Sequence, residues 1–160
     1  MNKEYGWFVV IFIAVLFIQS TVVDFLISAW KPDLVLITLV IFAARYGRGP
    51  GATAGFLVGI ISDVMSGPGT LIGLGALAKT ITGYFAGSWA RIAQEPSQFI
   101  FILFFSGLVH DVLYFSISTL GIEIEWWVLL QWHMFGSLLF TTIVGLLVYL
   151  LVGRRVVEKE

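Results

Sequence analysis

The chain has 160 residues, enough for one domain, and 59% of them are hydrophobic while only 12% are charged. Its mean hydropathy of +0.97 predicts an integral membrane protein rather than a soluble domain. The formal net charge of −1 offers no basic surface for nucleic acid, and the lack of cysteine excludes disulfides, thiolate metal sites and cysteine catalysis.

Apolar runs separated by short polar stretches predict an all-α fold, a single bundle of six transmembrane helices over residues 1–160. The predicted spans are about 7–30, 33–46, 51–66, 70–89, 98–120 and 126–152. The first lacks a small-residue cleavage site, so we expect it to be retained as a helix. The second and third are short for about 30 Å of hydrocarbon. We interpret them as two short full spans, and a re-entrant hairpin that leaves four spans is the alternative.

Residues 48–69 carry a regular pattern of small residues between two Gly-Pro-Gly tripeptides, which we predict to be turns. A small or acidic residue recurs at every fourth position, so a helix would present these residues on one face. This glycine stripe consists of Gly51, Gly55, Gly59, Asp63 and Gly67. Such stripes let helices approach closely in lipid, so we expect it to pack against another helix or bind a partner, with the bundle organised around it.

Ionisable side chains inside the predicted spans are the candidates for buried polar pairs or a cavity. They are Asp24, Asp63, Lys79, His110, Asp111 and His133. A charge at the bilayer centre costs at least about 2.5–3.5 kcal/mol, so each should face the bundle interior, a wet cavity or a partner. Depth along the spans predicts a Lys79–Asp111 ion pair. It also predicts an outer pocket shared by Asp24, Asp63 and His133. Structural pairing is the main interpretation, and proton relay or ligand coordination is the alternative.

Loop charge predicts the orientation of the chain. With six spans, one side carries nearly all of the basic residues, namely Lys3, Arg45, Arg48, Arg91, Arg154, Arg155 and Lys159. Only Lys31 falls on the opposite side. The positive-inside rule therefore places both termini in the cytoplasm.

Catalytic and metal-binding motifs are missing from the sequence. There is no G-x-S-x-G nucleophile motif, and Asp63 and Asp111 lack the G-x-G-D context of intramembrane aspartyl proteases. His110 and Asp111 are neighbours on a predicted helix and point about 100° apart, which disfavours a shared metal ion. No phosphate-binding loop is present. We expect no enzymatic activity, no metal and no cofactor.

Several short motifs together resemble a known family. Pro32-Asp33-Leu34 begins the second span, and the glycine-rich third span ends in Asp63. The segment 67–77, with the sequence GPGTLIGLGAL, and Gly83-Tyr84 follow. In these features the chain resembles the MreD family of bacterial rod shape-determining membrane proteins. The resemblance covers essentially the whole chain and is carried mainly by residues 32–87.

The resemblance implies a six-helix bundle similar to the S components of energy-coupling-factor transporters, in the bacterial cytoplasmic membrane. It implies a non-enzymatic scaffold that supports lateral peptidoglycan synthesis and rod shape. The implied partners are MreC, the MreB filament, the elongation glycosyltransferase and transpeptidase, and membrane lipid, and a homodimer is also open. We expect the transmembrane helix of MreC to dock on a small-residue surface that includes Gly55 and Gly59.

Two other functions stay open. A vitamin-binding subunit of the S-component type would have an outward pocket lined by Asp24, Asp63 and His133. Its docking stripe of alanines is not found in the first span, which is bulky at residues 14–18. A proton-coupled carrier would use Lys79 and Asp111, and its transport would change with pH.

Overall fold

A computed structural model of the chain describes residues 3–23, 30–66, 71–89, 95–120 and 135–153, and all regular structure in these ranges is helical. The six α-helices are α1 Lys3–Ile18, α2 Leu34–Tyr46, α3 Arg48–Met65, α4 Leu74–Ser88, α5 Pro96–Ser118 and α6 Phe135–Val148. The π-helical segments Gln19–Val23 and Tyr149–Gly153 continue α1 and α6. Within the described ranges, the predicted all-α fold of six helices is confirmed.

Among the described helices, only α5 is both long and apolar enough to cross a membrane on its own. It has 23 residues and a mean hydropathy of 1.9 over its most apolar stretch. Shorter apolar helical stretches accompany it at Gly6–Thr21, Leu34–Tyr46 and Phe135–Leu151. A topology in which all six helices cross the bilayer therefore stays a prediction, and it requires the bilayer to adapt to short helices.

The central element of the fold is α2. All its residues from 35 to 44 are buried, and neighbouring helices pack on every side of it. A helix that is apolar all round is stable only when it is enclosed in this way. We expected the bundle to be organised around residues 48–69, and this is wrong because the enclosed central helix is α2. Helix α3 lies beside α2 and exposes one face, where Phe56 and Leu57 are about half exposed.

Two apolar clusters meet on α2. In the first, Phe8 and Phe12 of α1 pack edge to face on Phe42, with ring centroids 5.1 and 5.8 Å away. In the second, Phe99 of α5 stacks on the fully buried Tyr149 at a centroid distance of 4.2 Å. The π-helical continuation of α6 thus contributes to the core. Because both clusters include α2, they form one continuous apolar interior.

The first Gly-Pro-Gly tripeptide, residues 49–51, is not the predicted turn, because it lies in the first turn of α3. Proline is tolerated there since its missing N–H would have no acceptor within the helix. The chain reverses at Gly47, whose φ of 89° separates α2 from α3. The Gly47 N–H donates to the Ala43 carbonyl at 2.8 Å. The second tripeptide, residues 67–69, lies outside the described residues.

Replacing Gly47 tests this chain reversal. Gly47→Ala should lower the free energy of unfolding by about 1–3 kcal/mol, because its backbone conformation is open essentially to glycine alone. Gly6→Ala in α1 is the matched control, since a Cβ at either position would meet no atom of a packed neighbour within 4 Å. The control should be neutral or stabilise α1 by up to about 1 kcal/mol. Unfolding followed by circular dichroism in detergent measures both, and equal losses would contradict the assignment.

Candidate functional site

Asp63 faces the start of α4 from the last turns of α3, with 6% of its surface exposed. Its Oδ2 accepts hydrogen bonds from the backbone N–H groups of Gly73 at 2.8 Å and Ala76 at 3.2 Å. Its Oδ1 accepts from the N–H of Gly75 at 3.1 Å. The first N–H groups of a helix have no acceptor within it. Asp63 is therefore an N-cap supplied by another helix, and the positive end of the α4 dipole stabilises its carboxylate.

Two glycines of the α4 start are matched to this carboxylate. Gly73 occupies the N-cap position with a φ of 102° and offers no side chain of its own as a cap. A Cβ on Gly75 would collide with Oδ1 of Asp63. We call Asp63 with Gly73, Gly75 and Ala76 the Asp63 cap. Both glycines lie in the segment that carries the family resemblance. In this structure, the positive φ of Gly73 and the closeness of Gly75 to the Asp63 carboxylate explain why glycine stands at these positions.

The glycine stripe of α3 faces the backbone of α4. A Cβ on Gly55 would lie 2.6 Å from the carbonyl carbon of Lys79. A Cβ on Gly59 would lie 2.7 Å from the backbone nitrogen of Ala76. Only residues without side chains allow this approach, which is the geometry of small-residue helix pairs in lipid. The stripe and the Asp63 cap thus belong to the same α3–α4 contact.

Helix α4 returns the contact with its own glycine, since a Cβ on Gly83 would lie 2.7 Å from the carbonyl carbon of Gly51. The stripe is therefore closed within the chain, and Gly55 and Gly59 are covered by α4. A transmembrane helix from another protein has no access to them while α3 and α4 are paired. The remaining member of the stripe, Gly67, lies outside the described residues.

A second group of charged side chains joins α2, α4 and α5. Lys79 is 7% exposed, and its Nζ lies 3.9 Å from Oδ2 of Asp33 and 3.5 Å from Nε2 of His110. Nδ1 of His110 lies 3.0 Å from Oδ1 of Asp111. The four side chains form a polar chain in the order Asp33, Lys79, His110, Asp111. Its two inner members are buried, and its two outer members are partly exposed.

The predicted direct ion pair between Lys79 and Asp111 is wrong. The carboxylate within reach of Lys79 is Asp33, and the His110 imidazole stands between Lys79 and Asp111. The reason is the helical period, because adjacent side chains point about 100° apart and only one can face α4. His110 takes that position, with 7% of its surface exposed.

Asp33 is the site residue that the ionisable-residue prediction missed. Its Oδ1 accepts from the N–H of Leu36 at 2.7 Å and caps α2. Its own N–H donates to Oγ1 of Thr141 at 3.0 Å, while Oε1 of Gln19 accepts from the N–H of Leu34 at 2.9 Å. Side chains from α6 and from the end of α1 therefore hold the start of the central helix. An aspartate directly before an apolar run is the sequence signal of such a cap.

The predicted outer pocket is described in part only. Asp24 and His133 lie outside the described residues, and Asp63 is engaged by the start of α4. Among the residues that the structure describes, no group of three or more His, Cys, Asp or Glu side chains is placed to hold a metal ion.

An apolar groove lies between α1 and α3, with Phe42 of α2 also lining it. Its volume is about 480 Å³. Phe12 and Leu16 line it from α1, and Thr53 and Ala54 line it from α3. Beside it is a pocket of about 190 Å³ whose polar lining residues are Gln19, Ser20, Ser62 and Ser66. Leu16 lines both, so the two spaces adjoin.

Comparison of the chain with protein-family models, with curated proteins and with solved structures gave no match in any of the three.

Removal of the Asp63 carboxylate tests the Asp63 cap. Asp63→Ala should lower the free energy of unfolding by at least about 2 kcal/mol, because buried N–H groups of α4 lose their acceptor. Asp63→Asn is the matched control, since its amide oxygen still accepts a hydrogen bond, and it should lose clearly less. Unfolding in detergent measures both variants. The assignment fails if alanine and asparagine are equally well tolerated.

The polar chain predicts different costs for removing its neighbouring members Asp33 and Lys79. Asp33→Ala should cost about 1–3 kcal/mol of unfolding free energy, because it removes the α2 cap together with the contact to Lys79. Lys79→Met should change it by less than about 1 kcal/mol, since its polar contacts are long and a buried ammonium carries a desolvation cost. A double-mutant cycle measures their coupling. A larger loss for Lys79→Met than for Asp33→Ala would contradict this view.

Proposed function

We propose that the protein is a non-enzymatic membrane scaffold of the bacterial rod complex, which binds the transmembrane helix of MreC and supports lateral peptidoglycan synthesis. It would lie in the cytoplasmic membrane as a multi-pass protein with both termini in the cytoplasm. MreB and the elongation glycosyltransferase and transpeptidase would be reached through the same complex. These partners are the ones that the resemblance to the MreD family implies.

The observation that carries the proposal is the division of the described side chains between inside and outside. Asp63, Lys79 and His110 are buried and contact backbone or side-chain groups of this chain. The outer surfaces are apolar, with large hydrophobic side chains exposed on every described α-helix except the enclosed α2. A chain that uses its buried polar groups for its own packing and exposes apolar surface suits a scaffold that contacts other helices within the membrane.

Because α4 covers the glycine stripe, we place the MreC helix on another surface. An aromatic patch joins the end of α4 to α5 and consists of Phe85, Trp89, Phe101 and Phe105. Its successive ring centroids are 6.0, 5.8 and 4.4 Å apart. Trp89, Phe101 and Phe105 remain between 37% and 46% exposed. Rings that are held by one another offer large contact area and lose little conformational entropy on binding.

The vitamin-binding alternative depends on an outward pocket with Asp63 in its wall. The three backbone N–H groups of the Asp63 cap already engage that carboxylate. A ligand that needed Asp63 would have to uncap α4, at a cost of about 1 kcal/mol or more. This engagement favours the scaffold over the vitamin-binding subunit.

Co-purification with MreC tests the proposed function. Tagged protein extracted in mild detergent should recover MreC, and Phe101→Ala with Phe105→Ala should reduce the recovery about tenfold, as a loss of about 1.4 kcal/mol would do. The matched control is Ile143→Ala with Leu147→Ala, which removes two exposed apolar side chains from α6. Recovery with the control should equal that of the unmodified protein.

Two different failures are distinguishable in this experiment. If the unmodified protein recovers no MreC, the scaffold function is overturned, and recovery of an ATPase module together with a bound vitamin would establish the alternative. If MreC is recovered equally well by the aromatic-patch variant, the function stands and the docking surface is wrong. Circular dichroism of each variant is measured to check that it is folded.

A further inference from the structure

The groove between α1 and α3 has a polar end. Leu16 lies at the boundary, with the apolar groove on one side and Gln19, Ser20, Ser62 and Ser66 on the other. The polar residues belong to the ends of α1 and α3, because the π-helical segment Gln19–Val23 continues α1 and α3 ends at Met65. An occupant of both spaces must therefore be apolar along its length and polar at one end.

The dimensions of the groove limit what can lie inside it. The α3 residues that line it run from Pro50 to Ile61, a distance of about 17 Å at the helical rise. A volume of about 480 Å³ over that length leaves a mean cross-section of about 28 Å². The groove therefore has room for one extended chain along its length.

We propose that this groove binds a glycerophospholipid, with one acyl chain along the groove and the glycerol ester region in the polar pocket. The acyl chain buries apolar surface against Phe12, Phe42 and Ala54 and needs no polar partner there. In the predicted topology the polar pocket lies toward the outer face, which is where a lipid of the outer leaflet carries its headgroup. The proposal rests on the membrane location in the proposed function and on none of its protein partners.

The polar pocket supplies hydrogen bonds rather than charge. Oε1 of Gln19 accepts from the N–H of Leu34, which orients the carboxamide and leaves its NH₂ group as the donor. The hydroxyls of Ser20 and Ser66 donate to backbone carbonyls, so their oxygens remain acceptors. The side chains that line the pocket carry no charge. The site should therefore bind lipids with zwitterionic and anionic headgroups equally well.

Native mass spectrometry of the detergent-purified full chain tests the proposal. Titration with phosphatidylethanolamine or with phosphatidylglycerol should give one saturable lipid adduct of similar affinity for both. Thr53→Trp fills the groove and should weaken the adduct about tenfold. Val64→Trp is the matched control, because the Val64 side chain is close in size to that of Thr53 and lies exposed on the same helix, outside the groove. It should leave the affinity unchanged.

A smaller change at the polar end gives a second, independent measurement. Ser62→Ala removes one hydroxyl from the pocket lining and should weaken binding severalfold while leaving the fold intact. This variant tests whether lipid binds at this site even if Thr53→Trp does not fold. Weaker lipid binding in Ser62→Ala with no change in Val64→Trp supports the site.

Three results would overturn the lipid site. These are no saturable adduct on the unmodified protein, equal weakening by Thr53→Trp and Val64→Trp, and unchanged binding in Ser62→Ala. Recovery of MreC by Thr53→Trp is measured in parallel. If that variant loses MreC and keeps the lipid adduct, the groove belongs to a protein partner and the lipid site is wrong. If the aromatic-patch variant loses MreC and keeps the adduct, the lipid site stands on its own.

Discussion

A buried carboxylate and the free N–H groups of a helix start satisfy each other where α3 meets α4. Neither group could be buried alone without losing its hydrogen bonds to water, and unpaired burial of either costs several kcal/mol. Asp63 and the first turn of α4 remove that cost together. The contact also sets the register of the two antiparallel helices, so that the glycines of one meet the backbone of the other along their length. Close packing of α3 on α4 thus depends on a polar interaction at one end.

The start of α2 is held by the same kind of interaction. Asp33 caps its own helix and is contacted by Thr141 from α6 and Lys79 from α4, while Gln19 at the end of α1 accepts from the N–H of Leu34. The buried length of the central helix is apolar except for Thr38, whose hydroxyl donates to the Leu34 carbonyl of the same helix, so the polar contacts at the first turn define its position. In both places the free N–H groups of a helix terminus donate to a carboxylate, which is buried at Asp63 and partly exposed at Asp33. The buried polar groups are thereby used inside the bundle.

This inward use of polarity leaves apolar surfaces for contact with other molecules. The aromatic patch lies on α4 and α5, while the groove lies between α1 and α3, so a partner helix and a lipid would contact different helices. The two surfaces also differ in shape. The patch presents rings held by one another, and the groove is an elongated apolar space with a polar pocket at one end. A scaffold with both surfaces would bind protein and lipid independently.

The sequence by itself determined the helical class, the existence of six apolar segments, the boundaries of α2 and the close packing of the glycine stripe. These follow from local composition and from the helical period, which are properties of neighbours in the chain. The tertiary structure alone decided that α2 rather than α3 is central, that Lys79 meets Asp33 instead of Asp111, and that Asp63 caps α4. Those outcomes depend on which helix faces which and on the rotation of each about its axis. Apolar periodicity is nearly uninformative about that rotation in a chain whose helices are hydrophobic on most sides.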